Sequence, residues 1–186
     1  DALFAAVLAE PWNPAIGSLL LKHGAKFNTR SRNKDTVLFR AAQRGRDEAL
    51  AFLLKAGAPV DEVDDEGQTA LMHVAKRCML RPLKMLLDAG ACIDASDKSG
   101  RTALMLACSG YGSAMKAIEA LSKAGADLDT RDTDGNSALH IAAGAPSALA
   151  TKALLRAGAT VDLRNRSGQT PLMYLVGQLG YGSRRP

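Results

Sequence analysis

The chain repeats itself about every 33 residues, and this period constrains its fold more than any other feature of the sequence. The dipeptide Gly-Ala occurs at intervals of 33, 33, 35 and 33 residues, beginning at Gly24, Gly57, Gly90, Gly125 and Gly158. A second series keeps the same intervals: Thr36, Thr69, Thr102, Ser137 and Thr170. Two markers in one phase predict an array of similar units. One unit of this size cannot bury its own apolar face, so neighbouring units must stack.

Within one period the sequence predicts a turn followed by two short helices. Polar residues surround Gly67, which allows a backbone with positive φ, and Thr69 follows as the residue expected to cap a helix. Apolar residues at 71–75 form the first helix, and leucines at 83–87 have the i, i+3, i+4 spacing of a second. Gly90 is expected to end the second helix in a left-handed conformation. The unit is therefore turn, helix, turn, helix.

Composition excludes several other classes of protein. Of the 186 residues, 47% are hydrophobic but only 4% are aromatic, and the net charge is +5, which does not describe a disordered chain. Three cysteines are too few for a disulfide-stapled scaffold, and they favour a reducing compartment such as the cytoplasm. The longest apolar run, 2–9, is far shorter than the roughly 20 residues that span a bilayer. We expect no membrane association.

The repeated unit resembles the ankyrin repeat, on motifs that cover almost the whole chain. Residues 168–172 match the family's opening G-x-T-P-L, and 67–71 and 100–104 differ only in Ala for Pro. Residues 135–140 keep the His of the longer motif, and Leu-Leu-x-Ala-Gly-Ala occurs at 53–58, 86–91 and 154–159. The resemblance implies an all-α solenoid of stacked helix-turn-helix units with β-hairpin-like turns.

We expect a single domain of six units, with some departures from the family pattern. The unit boundaries are approximately 1–30, 31–63, 64–96, 97–131, 132–164 and 165–186. Lys34 stands where the turn glycine belongs, and two-residue insertions lengthen the loops at 10–14 and 109–113. Trp12, in the first of these loops, is expected to fasten the N-terminal end. Because the chain opens on Asp1 without a Met, we also expect it to be part of a longer protein.

No residue pattern points to catalysis, a metal or a cofactor. His140 occupies the position where, in the family, the ring bonds to turn backbone, and His23 precedes a helix-ending glycine. His73 has no acid or nucleophile near it in sequence, and no histidines are spaced for a metal. The cysteines form no C-x-x-C, and Cys108 replaces a small core residue. We predict no enzyme activity and no cofactor for this chain.

In ankyrin domains the binding surface is usually the concave face, made of turn tips and the outward side of each first helix. The residues at matching positions here are Arg32, Arg44, Asp65, Glu66, Lys76, Arg77, Lys98, Arg101, Asp134, Asn136 and Arg166, with Tyr111 on the lengthened loop beside them. Stacking is expected to align Arg44, Lys76 and Arg77 into a basic stripe. Arg40 falls at a usually apolar position, from which it is expected to reach toward the groove.

The resemblance implies a module that binds a protein with an acidic patch, acting as a monomer. Nucleic acid is not expected, because acidic turn tips interrupt the stripe and aromatics are few. The Ala-, Gly- and Arg-rich composition suggests a bacterial source. Two roles stay open: target recognition by a bacterial effector acting in a host cell, and substrate recruitment for a larger enzyme that modifies a host protein, for example a caspase.

Overall fold

The computed structural model describes residues 2–31, 35–110, 114–145 and 148–182, and this part of the chain contains eleven α-helices. Each unit contributes a first helix, and the first helices are α1 (Ala2–Leu8), α3 (Val37–Gln43), α5 (Ala70–Lys76), α7 (Ala103–Cys108), α9 (Ala138–Gly144) and α11 (Pro171–Gly182). The second helices are α2 (Pro14–Lys22), α4 (Asp47–Lys55), α6 (Leu80–Asp88), α8 (Ala114–Lys123) and α10 (Ala148–Ala157). The predicted all-α array of helix pairs is confirmed.

The repeating threonines begin the first helices, as the sequence predicts. The hydroxyl of Thr69 accepts a hydrogen bond from the backbone N–H of Met72 at 3.3 Å. Thr36 and Thr102 make the same bond in their own units. Each bond satisfies one of the backbone donors that a helix leaves unpaired at its start.

The repeating Gly-Ala pair ends each second helix. Gly90 has a φ of 82°, and its N–H bonds to the carbonyl of Leu87, while the N–H of Ala91 bonds to the carbonyl of Leu86, both at 3.0 Å. This is the Schellman arrangement, in which a residue without Cβ takes the left-handed position. Ala91 then turns inward and is buried. The Gly-Ala pair therefore recurs for two reasons: the glycine adopts a left-handed backbone conformation, and the alanine fits a small buried space.

Short hairpins connect consecutive units and are bonded to one another. Val63 pairs with Thr69 across one hairpin, and Ser96 with Thr102 across the next. Between hairpins, the N–H of Lys98 donates to the carbonyl of Glu66 at 3.1 Å. Equivalent bonds, Thr133 to Ser99 and Arg166 to Asp134, continue this row at 3.0 Å each. The predicted β-hairpin-like turns are confirmed, and backbone bonds hold their tips in register.

The core is a thin continuous layer between the helices. First helices pack side by side from α3 to α11, and second helices from α4 to α10. Leucines at repeating positions are fully buried in this layer, among them Leu50, Leu71, Leu83, Leu86 and Leu104. Small Ala residues fill the remaining contacts, which is why a chain with so few aromatics can pack closely.

The lengthened loop of the first unit fastens that unit to the second. Trp12 packs edge-on against Phe52 of α4, with ring centroids 5.4 Å apart. A Cβ at Gly17 would lie 2.8 Å from Trp12 and 2.9 Å from Phe52, so a larger residue there would have to displace one of the two rings. Trp12 thus has the fastening role that the sequence predicts.

Candidate functional site

A row of exposed charged side chains runs along the hairpin tips. We call these residues the tip row: Asp65, Glu66, Lys98, Asp134 and Arg166. The row contains both signs of charge, and its members come from four consecutive units. Its spacing is fixed by the backbone bonds between hairpins.

Each hairpin is also stiffened from within by the residue at its base. The carboxylate oxygen Oδ1 of Asp64 accepts from the backbone N–H groups of Glu66 at 2.9 Å and Gln68 at 2.8 Å. Asp97, Asp132 and Asn165 make the same two bonds in their own hairpins. Such side-chain turns hold the tips in one conformation before any partner arrives.

Buried side-chain bonds join one hairpin base to the next. The amide of Gln68 donates to Asp97 at 3.0 Å, and the amide of Asn165 donates to Asn136 at 2.9 Å. Asn136, one of the predicted contact residues, is therefore buried between two units with its amide oxygen occupied. Arg101, another, is half-exposed and bonds Asp97 at 2.8 Å.

Asp97 is the most heavily bonded carboxylate at these junctions. Burial acts to raise its pKa, but the hydrogen bonds from Arg101, Gln68 and the backbone N–H of Ser99 outweigh that effect. The pKa of Asp97 consequently lies below its ordinary value, and the group is held ionised. This charge stabilises the hairpins and is turned away from solvent.

A second row lies at the other end of the first helices. We call Arg44, Lys76 and Arg77 the helix-end row; all three are exposed. Arg44 and Arg77 line one depression of about 560 Å³, together with Gln43 and Met79. The helix α5, seven residues and about 10 Å long, lies between this row and the tip row.

Arg77 links the two units that form this depression. Its Nη1 donates to the backbone carbonyl of Gln43 at 3.2 Å, at the C-terminal end of α3. Gly110 occupies the equivalent place in the following unit, where a Cβ would lie 2.4 Å from the carbonyl of Lys76. The row of long basic side chains therefore stops at this unit. Two predicted contact residues, Arg32 and Tyr111, lie outside the described residues.

Two polar pairs lie between the tip row and the helix-end row. Arg40 forms an ion pair with Asp35, so it is held beside the hairpin by an acid of its own unit. His73 meets Asp64 with 3.0 Å between Nε2 and Oδ2, and Phe39 packs edge-on against its ring at 4.5 Å. His73 has no acid near it in sequence, but the hairpin folds back onto the helix and brings Asp64 to its ring. The sequence contains only their nine-residue spacing, which does not show the contact without the angle between hairpin and helix.

The remaining candidates for chemistry are structural. His140 is fully buried; its Nδ1 accepts from the backbone N–H of Ser137 at 3.2 Å, and its Nε2 donates to the carbonyl of Gln169 at 2.9 Å. Burial raises the pKa of the Cys108 thiol to about 12, and the neighbouring Cys78 adds to this. Within the described ranges, no three His, Cys, Asp or Glu residues form a group suited to a metal ion.

The described helices are all too short to cross a lipid bilayer. In the part of the chain that the structure describes, no helix combines the necessary length and apolar character. The longest, α11, has 12 residues, whereas about 20 are needed.

Comparison with known proteins gives one clear result. A search of curated proteins found no match to the chain. The family model described as ankyrin repeats (3 copies) matches residues 38–132 and again 109–181. Together the matches cover residues 38–181, which include both rows of charged residues but not α1 and α2. The chain belongs to the ankyrin-repeat family.

Proposed function

We propose that this chain binds a protein partner through the concave surface between the tip row and the helix-end row. Ankyrin repeats are protein-interaction modules, and the observation that carries the proposal here is which basic side chains form ion pairs within the chain. Arg46 and Arg81 form ion pairs with acids of this chain. Among the described residues, no acid forms an ion pair with Arg44 or Lys76. These exposed cations are available to a partner.

A preformed surface supports tight binding by limiting the ordering cost. The tips are held by backbone bonds between hairpins, so docking immobilises little beyond long side chains. Arginine is a frequent anchor in interfaces because its planar group makes several hydrogen bonds and stacks. An interface of standard size covers about 800 Å² on each partner.

The expected partner has an acidic patch that faces the helix-end row. Opposite charges steer the encounter and fix the orientation of the two proteins. The acidic tip residues Asp65 and Glu66 oppose a nucleic-acid backbone at this surface. Cys78, Cys92 and Cys108 are free thiols, which supports the predicted reducing compartment. We propose that the domain acts as a monomer and by binding, without catalysis of its own.

The wider role stays a prediction from composition and from the family resemblance. Target recognition for a bacterial effector and substrate recruitment for a larger enzyme, for example one that modifies a caspase, both use the same concave surface. The family shares one fold across unrelated partners, so the fold alone does not choose between these roles.

The test is charge reversal of the helix-end row. The variant Arg44→Glu/Lys76→Glu/Arg77→Glu is compared with wild type in affinity capture from lysate, with bound proteins quantified by mass spectrometry. A matched control, Lys84→Glu/Lys116→Glu/Lys123→Glu, reverses three exposed lysines of second helices. We expect the first variant to lose its partner and the control to keep it, with unchanged circular dichroism for both. Equal capture by all three proteins contradicts the proposal.

A further inference from the structure

The depression in the helix-end row is bounded along the array by uncharged positions. We call it the arginine depression, and its lining residues are Gln43, Arg44, Arg77 and Met79. Arg44 and Arg77 each follow the second residue of their first helix by six positions. The same position holds Ala9 in the first unit, Gly110 in the fourth and Ala145 in the fifth. The two arginines therefore form an isolated pair at this position, in two adjacent units.

The polar side chains of the arginine depression offer hydrogen-bond donors. The oxygen Oε1 of Gln43 accepts from Nη1 of Arg40 at 3.2 Å, so the amide NH2 of Gln43 is the group left to donate. The backbone carbonyl of Gln43 accepts from Nη1 of Arg77, also at 3.2 Å. A ligand in the depression thus meets donors of Gln43, Arg44 and Arg77, and it has to supply the acceptors.

The arginine depression also differs from two other basic depressions in having no carboxylate among its described lining residues. In the depression beside Trp12, Glu10 forms an ion pair with Arg46. In the depression between α8 and α10, Glu119 lies in the same lining as Arg156. The positive charge of those two depressions is therefore partly balanced by acids of the chain, whereas the described lining of the arginine depression supplies no such balance.

A phosphoryl group matches this combination of charge and donors. Two guanidinium groups in one depression repel each other, and a phosphorylated side chain, with about two negative charges at pH 7, offsets both. A carboxylate offsets one. The phosphoryl oxygens are all acceptors, to which the planar guanidinium group donates in pairs. Because Arg77 is already positioned by its bond to Gln43, less side-chain entropy is lost on binding.

We propose that the arginine depression binds a phosphorylated serine or threonine side chain of the partner protein. The inference rests on the proposed function, since it names the acidic group that the helix-end row meets. Arg44 and Arg77 donate to the phosphoryl oxygens, and the exposed Lys76 adds positive charge beside them. Phosphorylation of the partner therefore controls whether the two proteins associate.

A nucleic-acid phosphate is the competing occupant, and the layout of the surface disfavours it. A nucleic-acid strand carries a charge about every 3.4 Å along its length. The position of the two arginines is uncharged in the units on both sides, at Ala9 and Gly110. Asp65 and Glu66 add negative charge at the hairpin tip of the third unit. The surface thus matches one phosphoryl group better than a chain of them.

The first test measures which anion the depression prefers. Peptides acetyl-Ala-Ala-X-Ala-Ala-amide, in which X is phosphoserine, glutamate or serine, are titrated into the wild-type protein. The methyl resonance of Met79, which lines the depression, is followed by NMR. We expect saturable shifts with the phosphoserine peptide, at least about tenfold weaker binding of the glutamate peptide, and no shift with serine. Equal affinity for phosphoserine and glutamate, or shifts confined to other parts of the protein, overturns the proposal.

Protein variants locate the binding. Arg44→Gln/Arg77→Gln is expected to abolish the preference for phosphoserine over glutamate. Arg44→Lys/Arg77→Lys keeps the charge but removes the planar groups, and should weaken phosphoserine binding at least about tenfold. The matched control Lys84→Gln/Lys116→Gln removes two exposed cations of second helices and should leave binding unchanged. An equal loss in the control contradicts the proposal, because net charge would then attract the peptide. The titration of the wild-type protein needs no variant to fold.

A second experiment separates this inference from the proposed function. Lysate is treated with a protein phosphatase, treated with nuclease or left untreated before affinity capture by the wild-type protein and by Arg44→Glu/Lys76→Glu/Arg77→Glu. We expect the wild-type protein to lose its partner after phosphatase treatment and to keep it after nuclease treatment. If the partner is kept after phosphatase but lost by the triple variant, the proposed function stands and the phosphoryl inference fails. If the triple variant keeps the partner, the proposed function itself fails.

Two further outcomes of the capture experiment would assign the depression to another source of phosphate. Loss of the partner after nuclease treatment alone would make nucleic acid the occupant. Capture that survives phosphatase but is suppressed by added inorganic phosphate would make the occupant a free phosphate compound. Either result overturns the assignment to a phosphorylated protein.

Discussion

The two carboxylate oxygens of Asp97 have separate tasks, and the sixth unit shows how to distinguish them. Oδ1 accepts the two backbone N–H bonds that shape the hairpin, while Oδ2 accepts from Arg101 and from Gln68 of the preceding unit. Asn165 makes the backbone bonds equally well in the sixth unit. Asparagine is thus compatible with the turn. Compared with aspartate, it lacks the negative charge and the second acceptor oxygen that Arg101 and Gln68 use at Asp97.

We therefore predict that Asp97→Asn keeps the fold but lowers the free energy of unfolding at pH 7 by about 1–3 kcal/mol, since two donors then face an amide. The folded-state pKa of Asp97 is lowered, so its stabilising effect is complete above the unfolded-state pKa and disappears as the pH falls through the folded value. Urea unfolding from pH 7 to about pH 3 should show wild type and variant converging as the pH falls. A difference that is independent of pH would contradict this account.

Single residues also show where sequence reasoning stopped. The roles of Thr69 and Gly90 could be predicted because caps depend on the few residues around them. The pairing of His73 with Asp64 could not, because it depends on the angle between hairpin and helix. Asn136 was expected at the surface because its position matches one on the concave face of ankyrin domains. Stacking of Asn165 against it is a contact between units, which local pattern does not contain.

At the scale of the element, two kinds of glycine have the same backbone conformation and different surroundings. Gly135 in a hairpin has φ 79°, and Gly158 after α10 has φ 96°. A Cβ on Gly135 would lie 2.7 Å from the backbone nitrogen of Arg166 in the next unit, whereas one on Gly158 would meet nothing within 4 Å. The hairpin glycine is thus required both by its conformation and by the close approach of its neighbour.

The matched pair Gly135→Ala and Gly158→Ala separates these two effects. Both substitutions should cost about 1–2 kcal/mol for placing alanine in the left-handed region. Gly135→Ala should cost roughly 1–3 kcal/mol more, because two backbone segments must move apart. Urea unfolding at equilibrium measures both values. If both variants lose the same free energy of unfolding, moving the two hairpins apart costs no measurable free energy.

At the scale of the whole molecule, the stability of a stacked array depends on which positions are covered. Leu104 and Leu172 occupy the same place in their units but differ from 1% to 70% in exposure. We predict that Leu104→Ala lowers the free energy of unfolding by about 2–5 kcal/mol. Leu172→Ala should change it by less than about 0.5 kcal/mol. A large loss from Leu172→Ala, measured on monomeric protein by urea unfolding, would show that this end is covered in solution.

The architecture could be predicted almost completely, because the same capping and turn residues recur in every unit. The spacing of about 33 residues between them gives the order of the helices. The charged rows were harder to predict. The sequence identified Arg44 and Arg77 as equivalent, but the bond from Arg77 to Gln43 arises only when units stack. The exposed face of α11 was not predicted at all. Its sequence is that of a covered helix, and only the arrangement in space shows that nothing described lies over it.

The bonds between hairpin tips have a consequence for how such a surface can change. Lys98, Thr133 and Arg166 are joined to their neighbours through backbone atoms alone, and the side chains at these places take no part. A substitution at a tip therefore alters which partner the surface selects while leaving its position in space unchanged. Binding specificity can therefore evolve one side chain at a time without a change in the backbone, provided that the hairpin glycines are kept.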